Sequence, residues 1–354
     1  MIENSQISET LSGLLACYSP SGHEEEAVDF LVRRMKALGF DQSFKDEVGN
    51  AIGIIGSGET TLLFLGHIDT VPGFIEPRIE NSNIYGRGSV DAKGSLAAFV
   101  DAAFEVTLPE DGRIVIIAAV EEEGSSKGAK YIVDKYHPDF AIIGEPSSWD
   151  RITLGYKGSV WLKLNFQRDK THSAHDSLNA TELAVSIWNQ IQEQVAEYNQ
   201  DKKRLFSQLY PRLNAIQTDN QEFHTLCELT IECRLPPEFT FQEWQNFIST
   251  ILNEDGKLSL LGEPVNAYAA TKSNALVSSF LGAIRKSEGK PRFVFKTGTS
   301  DMNIVAPVWS CPILAYGPGD SALDHTPNEH LSLIEFQRSV VVLKNTLENL
   351  FSKV

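Results

Sequence analysis

The sequence predicts an α/β fold: a doubly wound main domain with a smaller α+β domain inserted into it. Apolar runs without a polar face, such as Leu62–Leu65 and Arg113–Val120, alternate with helical patterns and suit strands of a parallel sheet covered on both sides. Further along, the pattern becomes strand, helix, two strands, helix, strand, which is the split β-α-β order of a ferredoxin-like sandwich. We therefore assign residues 1–155 and 268–354 to the main domain and residues 156–267 to the insertion.

The main domain alternates between helices and strands along the chain. Its first two helices show apolar residues at helical spacing, and the second has an acidic first turn and stops at Gly39. The predicted helices are Ile7–Tyr18, His23–Leu38, Ser95–Val106, Gly128–Tyr136, Ala275–Ser287 and Leu333–Ser352. The predicted strands are Asn50–Ile55, Thr61–Leu65, Arg113–Val120, Phe140–Ile143, Arg292–Phe295 and Cys311–Tyr316.

The inserted domain opens with a strand at Gly158–Phe166, in which apolar and polar residues alternate. A long helix, two strands, a helix and a last strand are predicted at Ala180–Tyr198, Leu213–Thr218, Leu226–Leu235, Phe241–Leu252 and Lys257–Leu260. The long helix carries an apolar stripe that includes Leu183, Ile187 and Ile191. This stripe either faces a second copy of the chain or packs against the domain's own sheet.

The charge of the chain argues against two classes of partner. Among 354 residues, 31 Lys and Arg oppose 47 Asp and Glu, which gives a formal net charge of -16. An acidic chain repels phosphate backbones and anionic lipid headgroups, so we expect neither nucleic-acid nor membrane binding. The sequence shows no signal-like N-terminus and no apolar run of membrane length, and we expect a cytoplasmic protein. The four cysteines lack metal-ligand spacing and are expected to be buried thiols.

A histidine and two aspartates lie where predicted strands end and helices begin. His67 and Asp69 follow the run Leu62–Leu65 directly. Residues two apart in an extended chain point the same way, so the Asp69 carboxylate can accept the second N–H of His67. This arrangement is typical of a metal-bound histidine, although a strand-end histidine without metal shows it too. Asp91 lies in the glycine-rich stretch just before the predicted helix at 95–106.

More carboxylates follow the next strands. Glu121, Glu122 and Glu123 come directly after Arg113–Val120, and Glu145 follows Phe140–Ile143. Neighbouring carboxylates repel one another unless a cation lies among them, although a solvated charged loop is the alternative. Two imidazoles and three carboxylates suit a pair of borderline divalent ions, zinc first. The candidate ligands are His67, Asp91, Glu123, Glu145 and His325. Glu122 is the candidate general base.

These motifs together resemble a known family of hydrolases. The motifs are Gly-His67-Ile-Asp69-Thr-Val-Pro, Gly-Arg-Gly-Ser-Val-Asp91-Ala-Lys-Gly, Glu121-Glu122-Glu123-Gly, Gly-Glu145-Pro-Ser and the late His325. The chain resembles the dinuclear-zinc amidohydrolases of the acetylornithine deacetylase, succinyl-diaminopimelate desuccinylase and glutamate carboxypeptidase family. It is most similar to the lysine-biosynthesis branch, whose members release lysine or ornithine from an acyl group or from an acidic amino-group carrier protein.

The resemblance implies a fold, a chemistry and a ligand set. It implies a catalytic domain with a dinuclear metal site, and an insertion that serves as a lid and dimerisation domain in a homodimer. Two Zn²⁺ per subunit would be held, with Co²⁺ able to substitute. Asp91 would bridge the ions, His67 and Glu145 would hold one, and Glu123 and His325 the other. Glu122 would take a proton from the bridging water and pass it to the leaving amine.

The same resemblance implies residues that contact the substrate. His172 matches a histidine that reaches the site, usually from the partner subunit, and steadies the oxyanion; His175 is a near rival. Arg234 matches an arginine that binds the substrate carboxylate, with a surface ion pair as the alternative. Thr299 and Ser300 lie at a helix start, where N–H groups and hydroxyls suit an anion. A cis peptide is expected between Asp91 and Ala92.

The resemblance settles the register of the glutamates, whereas the choice of substrate stays open. Many relatives carry Asp before the glutamate pair, where this chain has Glu121, and the five-residue spacing from Glu123 to Gly128 decides the register. The expected activity is amide hydrolysis of a small N-acyl amino acid or of a carrier-linked lysine or ornithine. The alternatives are a desuccinylase, a dipeptidase or carboxypeptidase of the same family, or an inactive relative that only binds.

Overall fold

The chain folds as two units in a computed structural model that describes residues 8–170, 172 and 177–352. The main unit contains the chain up to Gly155, Ala270–Val294 and the chain from Ser300 onward. The inserted unit contains Tyr156–Ala269 and Phe295–Thr299. It therefore extends past the predicted boundary at 267 and includes a later return segment. Phe295 explains the return, because its ring lies 4.7 Å from the ring of Phe206 in the inserted unit.

The helices and strands have the following bounds. The helices are α1 (Glu9–Ala16), α2 (Glu25–Ala37), α3 (Lys93–Phe104), α4 (Lys127–Ile132), α5 (Ala180–Asn199), α6 (Phe241–Leu252), α7 (Ala275–Lys286), α8 (Met302–Trp309) and α9 (Leu333–Phe351). The first eight strands are β1 (Gln42–Lys45), β2 (Ala51–Ile55), β3 (Thr60–His67), β4 (Arg78–Glu80), β5 (Asn83–Tyr85), β6 (Gly112–Ala119), β7 (Phe140–Gly144) and β8 (Arg151–Tyr156). The others are β9 (Gly158–Asp169), β10 (Tyr210–Asn220), β11 (His224–Leu235), β12 (Lys257–Val265), β13 (Tyr268–Ala269), β14 (Arg292–Lys296), β15 (Ile313–Ala315) and β16 (His330–Ser332).

The main unit is built on a mixed sheet with the strand order β1-β2-β6-β3-β7-β15-β8. The four central strands β6, β3, β7 and β15 run parallel, as the apolar runs predict. The flanking strands β1, β2 and β8 are antiparallel to their neighbours. Helix α3 packs on β3, β6 and β7, and α1 and α9 pack on α3. The predicted α/β class is therefore correct, and the layer is mixed rather than wholly parallel.

The sequence prediction omits several short strands. The strand β1 forms a hairpin with β2, closed by Asp46, whose Oδ1 accepts the N–H groups of Val48, Gly49 and Asn50. A separate three-stranded sheet has the order β16-β5-β4. Each of its strands has three residues, too few to show a two-residue alternation.

Among the described residues, no helix combines the length and apolar character needed to cross a membrane.

The inserted unit has an antiparallel sheet with the order β10-β11-β9-β12, and its elements follow the predicted strand and helix order. One core joins the sheet to α5 and α6, and it includes Leu162, Ile231 and Trp244. Leu183, Ile187 and Ile191 of α5 belong to this core. The apolar stripe of α5 therefore packs against the unit's own sheet, which decides between the two alternatives for that helix.

The contact between β3 and β7 generates a stability prediction. At Gly144, a Cβ would lie 2.7 Å from Cε2 of Phe99 and 3.1 Å from Cα of Gly66. We expect Gly144→Ala to lower the free energy of unfolding by about 1–3 kcal/mol, because the added methyl overpacks the core. Urea denaturation measures the change.

The matched control is Gly282→Ala in α7, where the nearest atom to a new Cβ is 3.8 Å away. This variant is expected to gain about 0.5–1 kcal/mol, since alanine favours a helix interior over glycine. Equal effects of the two substitutions would contradict the overpacking argument.

Candidate metal centre

The candidate ligands meet at the carboxyl ends of three neighbouring parallel strands. Strand β3 lies between β6 and β7, with His67 opposite Ala119 and Gly66 opposite Gly144. The loop after β6 therefore brings Glu121–Glu123 beside His67, and Glu145 follows β7 on the other side. In α/β folds, bound molecules and ions lie at this edge of the sheet.

Asp91 lies at the centre of the cluster. Its Oδ1 is 3.2 Å from Nε2 of His67, and its Oδ2 is 3.0 Å from Nε2 of His325. Nε2 of His325 is also 2.8 Å from Oε1 of Glu123. Donor atoms of His67, Asp91 and Glu145 lie within 4.8 Å of one another, and so do those of Asp91, Glu123 and His325. The structure thus brings all five predicted ligands into two groups that share Asp91.

Glu122 also belongs to this cluster. One of its oxygens lies within 4.8 Å of donor atoms of His67 and Glu123. This geometry suits Glu122 either as a metal ligand or as a proton-transfer group. Its role as general base therefore stays a prediction. The peptide bond between Asp91 and Ala92 is cis, as the resemblance implies.

The charge state of the cluster fits a cation. Burial and the neighbouring carboxylates raise the pKa of Glu122 and of Glu145 well above the ordinary range, although the His67 imidazole acts in the opposite direction. Hydrogen bonds with Asp91 and Glu123 raise the pKa of His325 to about 10. Burial opposes the charge on Asp91, but hydrogen bonds with His325 and His67 outweigh it and lower the Asp91 pKa.

Asp301 is a buried carboxylate beside the cluster that the ligand prediction omits. It precedes α8 and is 2% exposed, and burial raises its pKa to about 7. Its Oδ1 has no hydrogen-bond partner among the residues that the structure describes. A surplus of buried carboxylate oxygens is the chemistry that a divalent cation requires. The only sequence signal is the position of Asp301 directly after Thr299 and Ser300.

Asp69 holds both the histidine and the glutamate loop. Its Oδ1 accepts the backbone N–H of Glu122 at 3.0 Å, and its Oδ2 accepts that of Glu123 at 3.0 Å. The hydroxyl of Ser21 donates to Oδ2 at 2.6 Å. Nδ1 of His67 is 3.5 Å from the Asp69 carboxylate and 3.0 Å from its backbone carbonyl. The Asp69 carboxylate therefore lies beside His67, but the hydrogen bond of Nδ1 goes to the backbone carbonyl of Asp69, whereas the carboxylate bonds the glutamate loop and Ser21.

Gly128 shows why the spacing after the glutamates is fixed. Its N–H donates to the carbonyl of Val120 at 3.0 Å, where β6 leads into the glutamate loop. A Cβ at this position would lie 2.4 Å from Oδ1 of Asn50 and 2.6 Å from the backbone nitrogen of Val120. Only glycine allows α4 to begin so close to the strand end.

The predicted substrate contacts are spread over both units. Arg234, in β11, forms an ion pair with Glu232 at 2.7 Å, and both line a cavity of about 380 Å³ with Lys157, Arg212 and Tyr210. His172 is exposed in the inserted unit, and His175 lies outside the described residues.

Thr299 and Ser300 differ in their surroundings. Thr299 is exposed and belongs to the inserted unit, whereas Ser300 is buried in the main unit. The N–H of Ser300 donates to Oδ1 of Asn303, and its hydroxyl accepts the N–H of Met302. Both groups of Ser300 are therefore engaged at the start of α8. Its N–H is not available to bind an anion of the substrate.

Comparison with known proteins identifies the family. The sequence pattern of Peptidase family M20/M25/M40 matches residues 63–349. The chain belongs to this family. The resemblance predicted from the sequence is confirmed, and with it the prediction that the chain is a hydrolase of a metal-dependent family.

Individual relatives cover nearly the whole chain. The LysW-lysine hydrolase of Deinococcus radiodurans is 41% identical over 341 residues, which cover 94% of this chain and 93% of the relative. A putative LysW-lysine/LysW-ornithine hydrolase of Thermococcus kodakarensis is 38% identical, over 99% of this chain and 94% of the relative. A tripeptidase structure from Staphylococcus aureus has a TM-score of 0.81 at 18% identity, over 99% of this chain and 100% of that chain. That structural likeness shows the shared fold.

Asp69→Asn tests whether the Asp69 carboxylate organises this centre. An amide keeps one acceptor oxygen and turns an NH₂ group toward a backbone N–H, so one of the two loop bonds is lost. We expect metal affinity to fall by roughly 10–100-fold, measured by competition with a chelator.

The control is Asp139→Asn. Oδ2 of Asp139 accepts the N–H of Thr61 at 2.8 Å, at the opposite end of β3. Metal affinity is expected to stay at the wild-type value in this variant. An equal loss in both variants would show that Asp69 acts on general stability instead.

Proposed function

We propose that the chain releases lysine or ornithine by hydrolysing the amide that joins it to an acidic amino-group carrier protein or to an acetyl group. The observation that carries the proposal is the set of LysW-lysine hydrolase relatives at 41% and 38% identity over nearly the whole chain. The cluster of two imidazoles and three carboxylates supports it, since this donor set suits metal-assisted amide hydrolysis. A cytoplasmic location would follow from such a biosynthetic role.

Two Zn²⁺ per subunit, with Co²⁺ as a substitute, are the proposed cofactors. His67, Asp91 and Glu145 would hold one ion, and Asp91, Glu123 and His325 the other, which matches the two groups that share Asp91. When bound, such ions activate water and polarise the substrate carbonyl. The protein's part is to hold these donors in place, and Asp69 does so for the glutamate loop.

Glu122 is proposed to carry the proton. Its backbone is fixed by Asp69, and its side chain lies within the cluster without completing either group that shares Asp91. In this role its carboxylate accepts a proton from the attacking water and returns it to the amine that leaves.

The inserted unit is proposed to contribute substrate contacts and dimer contacts. His172 would stabilise the oxyanion. Arg234 would bind a substrate carboxylate, and Thr299, in the segment before α8, would contact the same anionic group. In a homodimer, the apolar stripe of α5 is not available, because it packs in the unit's own core. Within the described part of that sheet, β10 and β12 are the edge strands, and either could pair with a second copy.

A substrate panel tests the function. Zinc-loaded protein is assayed with carrier-linked lysine and ornithine, their N-acetyl forms, N-succinyl-diaminopimelate and dipeptides. We expect the highest kcat/KM for a lysine or ornithine substrate, loss of activity on chelation, and recovery with Zn²⁺ or Co²⁺. Fastest turnover of dipeptides would favour a peptidase, and wild-type protein that holds no metal would favour an inactive relative.

Substitutions at the three consecutive glutamates separate base from ligand. Glu122→Gln is expected to keep its metal and lose roughly 10²–10⁴-fold in kcat, because proton transfer is removed. Glu123→Gln should instead release metal. Glu121→Gln is the control, since that side chain bonds Ser125 and Lys127 outside the cluster. If Glu122→Gln loses metal while Glu123→Gln keeps it, the two roles are reversed.

A further inference from the structure

A buried ion pair, Arg87 with Glu329, lies behind the proposed metal centre, and neither residue belongs to the ligand set. Arg87 is 7% exposed and Glu329 is fully buried, and Nη1 of Arg87 lies 2.8 Å from Oε2 of Glu329. A buried pair of this kind is costly to desolvate and persists only where further hydrogen bonds satisfy both groups. The identity of those further bonds shows what the pair does.

Glu329 uses its other oxygen on the segment that carries Asp91. Oε1 accepts the backbone N–H of Val90 at 2.9 Å and that of Asp91 at 3.1 Å. The backbone of Asp91, the residue shared by both donor groups, is therefore held by a carboxylate from the loop after His325.

Arg87 uses its other N–H groups on two more segments. Nε donates to the carbonyl of Gly73 at 2.9 Å, in the segment that follows His67 and Asp69. Nη1 also donates to the carbonyl of Thr326 at 3.2 Å, directly after His325. One guanidinium thus ties the segment after β3 to the loop that carries His325.

We propose that Arg87 and Glu329 are positioning residues, which hold the segments of His67, Asp91 and His325 in the arrangement that binds metal. The inference rests on the proposed metal site and adds two residues to it. It requires a carboxylate at 329, because both oxygens accept hydrogen bonds from different groups. It requires a guanidinium at 87, because a single ammonium cannot reach Gly73, Thr326 and Glu329 in the same planar geometry.

The experiment compares four variants of the full chain. Glu329→Gln replaces one acceptor by an NH₂ group that faces either the Asp91 N–H or the guanidinium, and Arg87→Lys removes the planar fork. Zinc affinity is measured by competition with a chelator, and the Tm of each metal-free protein is measured in parallel. Both variants are expected to bind zinc roughly 10–100-fold more weakly than wild type.

The controls make the same substitutions outside the centre. Glu335→Gln alters a carboxylate that accepts the N–H groups of Trp149 and Gly319 through a single oxygen, which an amide can replace. Arg113→Lys alters a guanidinium that bonds the Thr61 hydroxyl at the start of β6. Zinc affinity in both controls is expected to stay at the wild-type value, because none of these hydrogen bonds reaches a proposed ligand or a residue next to one.

Three results overturn the proposal. The first is unchanged zinc affinity in Glu329→Gln and Arg87→Lys, and a lower metal-free Tm would then mean that the pair only stabilises the fold. The second is an equal loss of affinity in the controls. If Glu329→Gln does not fold, Arg87→Lys decides alone. Wild-type protein without any zinc binding would overturn the proposed function as well, and this outcome is distinct from the other two.

Discussion

The main unit has to hold several carboxylates at one edge of a sheet against their mutual repulsion, and it does so with backbone N–H groups. The Asp69 carboxylate accepts hydrogen bonds from the N–H groups of Glu122 and Glu123. The Glu329 carboxylate accepts those of Val90 and Asp91. Hydrogen bonds from N–H groups stabilise a carboxylate charge, and at Glu329 the Arg87 guanidinium adds to them. Asp69 and Glu329 are thus occupied with backbone groups, and the carboxylates left for the proposed metal ions are those of Asp91, Glu123 and Glu145.

The sheet decides how close the ligands come before any side-chain contact is made. Gly66 and Gly144 face each other across β3 and β7, and a methyl group at Gly144 would meet Phe99 and Gly66. Gly128 plays a comparable part where α4 begins against the end of β6. Missing side chains at these points allow strand ends and loops to approach until five donors lie in one cluster.

The sequence was informative where local pattern and topology agree. The apolar runs before His67, Glu121 and Glu145 predict parallel strands, and their carboxyl ends must then lie together, so the cluster could be foreseen. Contacts between distant parts of the chain left no such local signal. Glu329 lies 238 residues from Asp91, and Asp301 is recognisable as buried only in the structure. The α5 stripe was ambiguous because periodicity shows an apolar face without showing what covers it.

The proposed metal centre would account for hydrolysis but not for the choice of substrate. The same fold is present in a tripeptidase at 18% identity, whereas relatives at 38–41% identity are named for lysine or ornithine linked to LysW. The fold is shared, and fold alone does not choose a substrate. The Arg234–Glu232 pair and its neighbours Lys157 and Arg212 line a cavity with more positive than negative groups, within a chain of net charge -16. Such a local excess of positive charge favours anionic groups, because a nearby opposite charge stabilises a carboxylate.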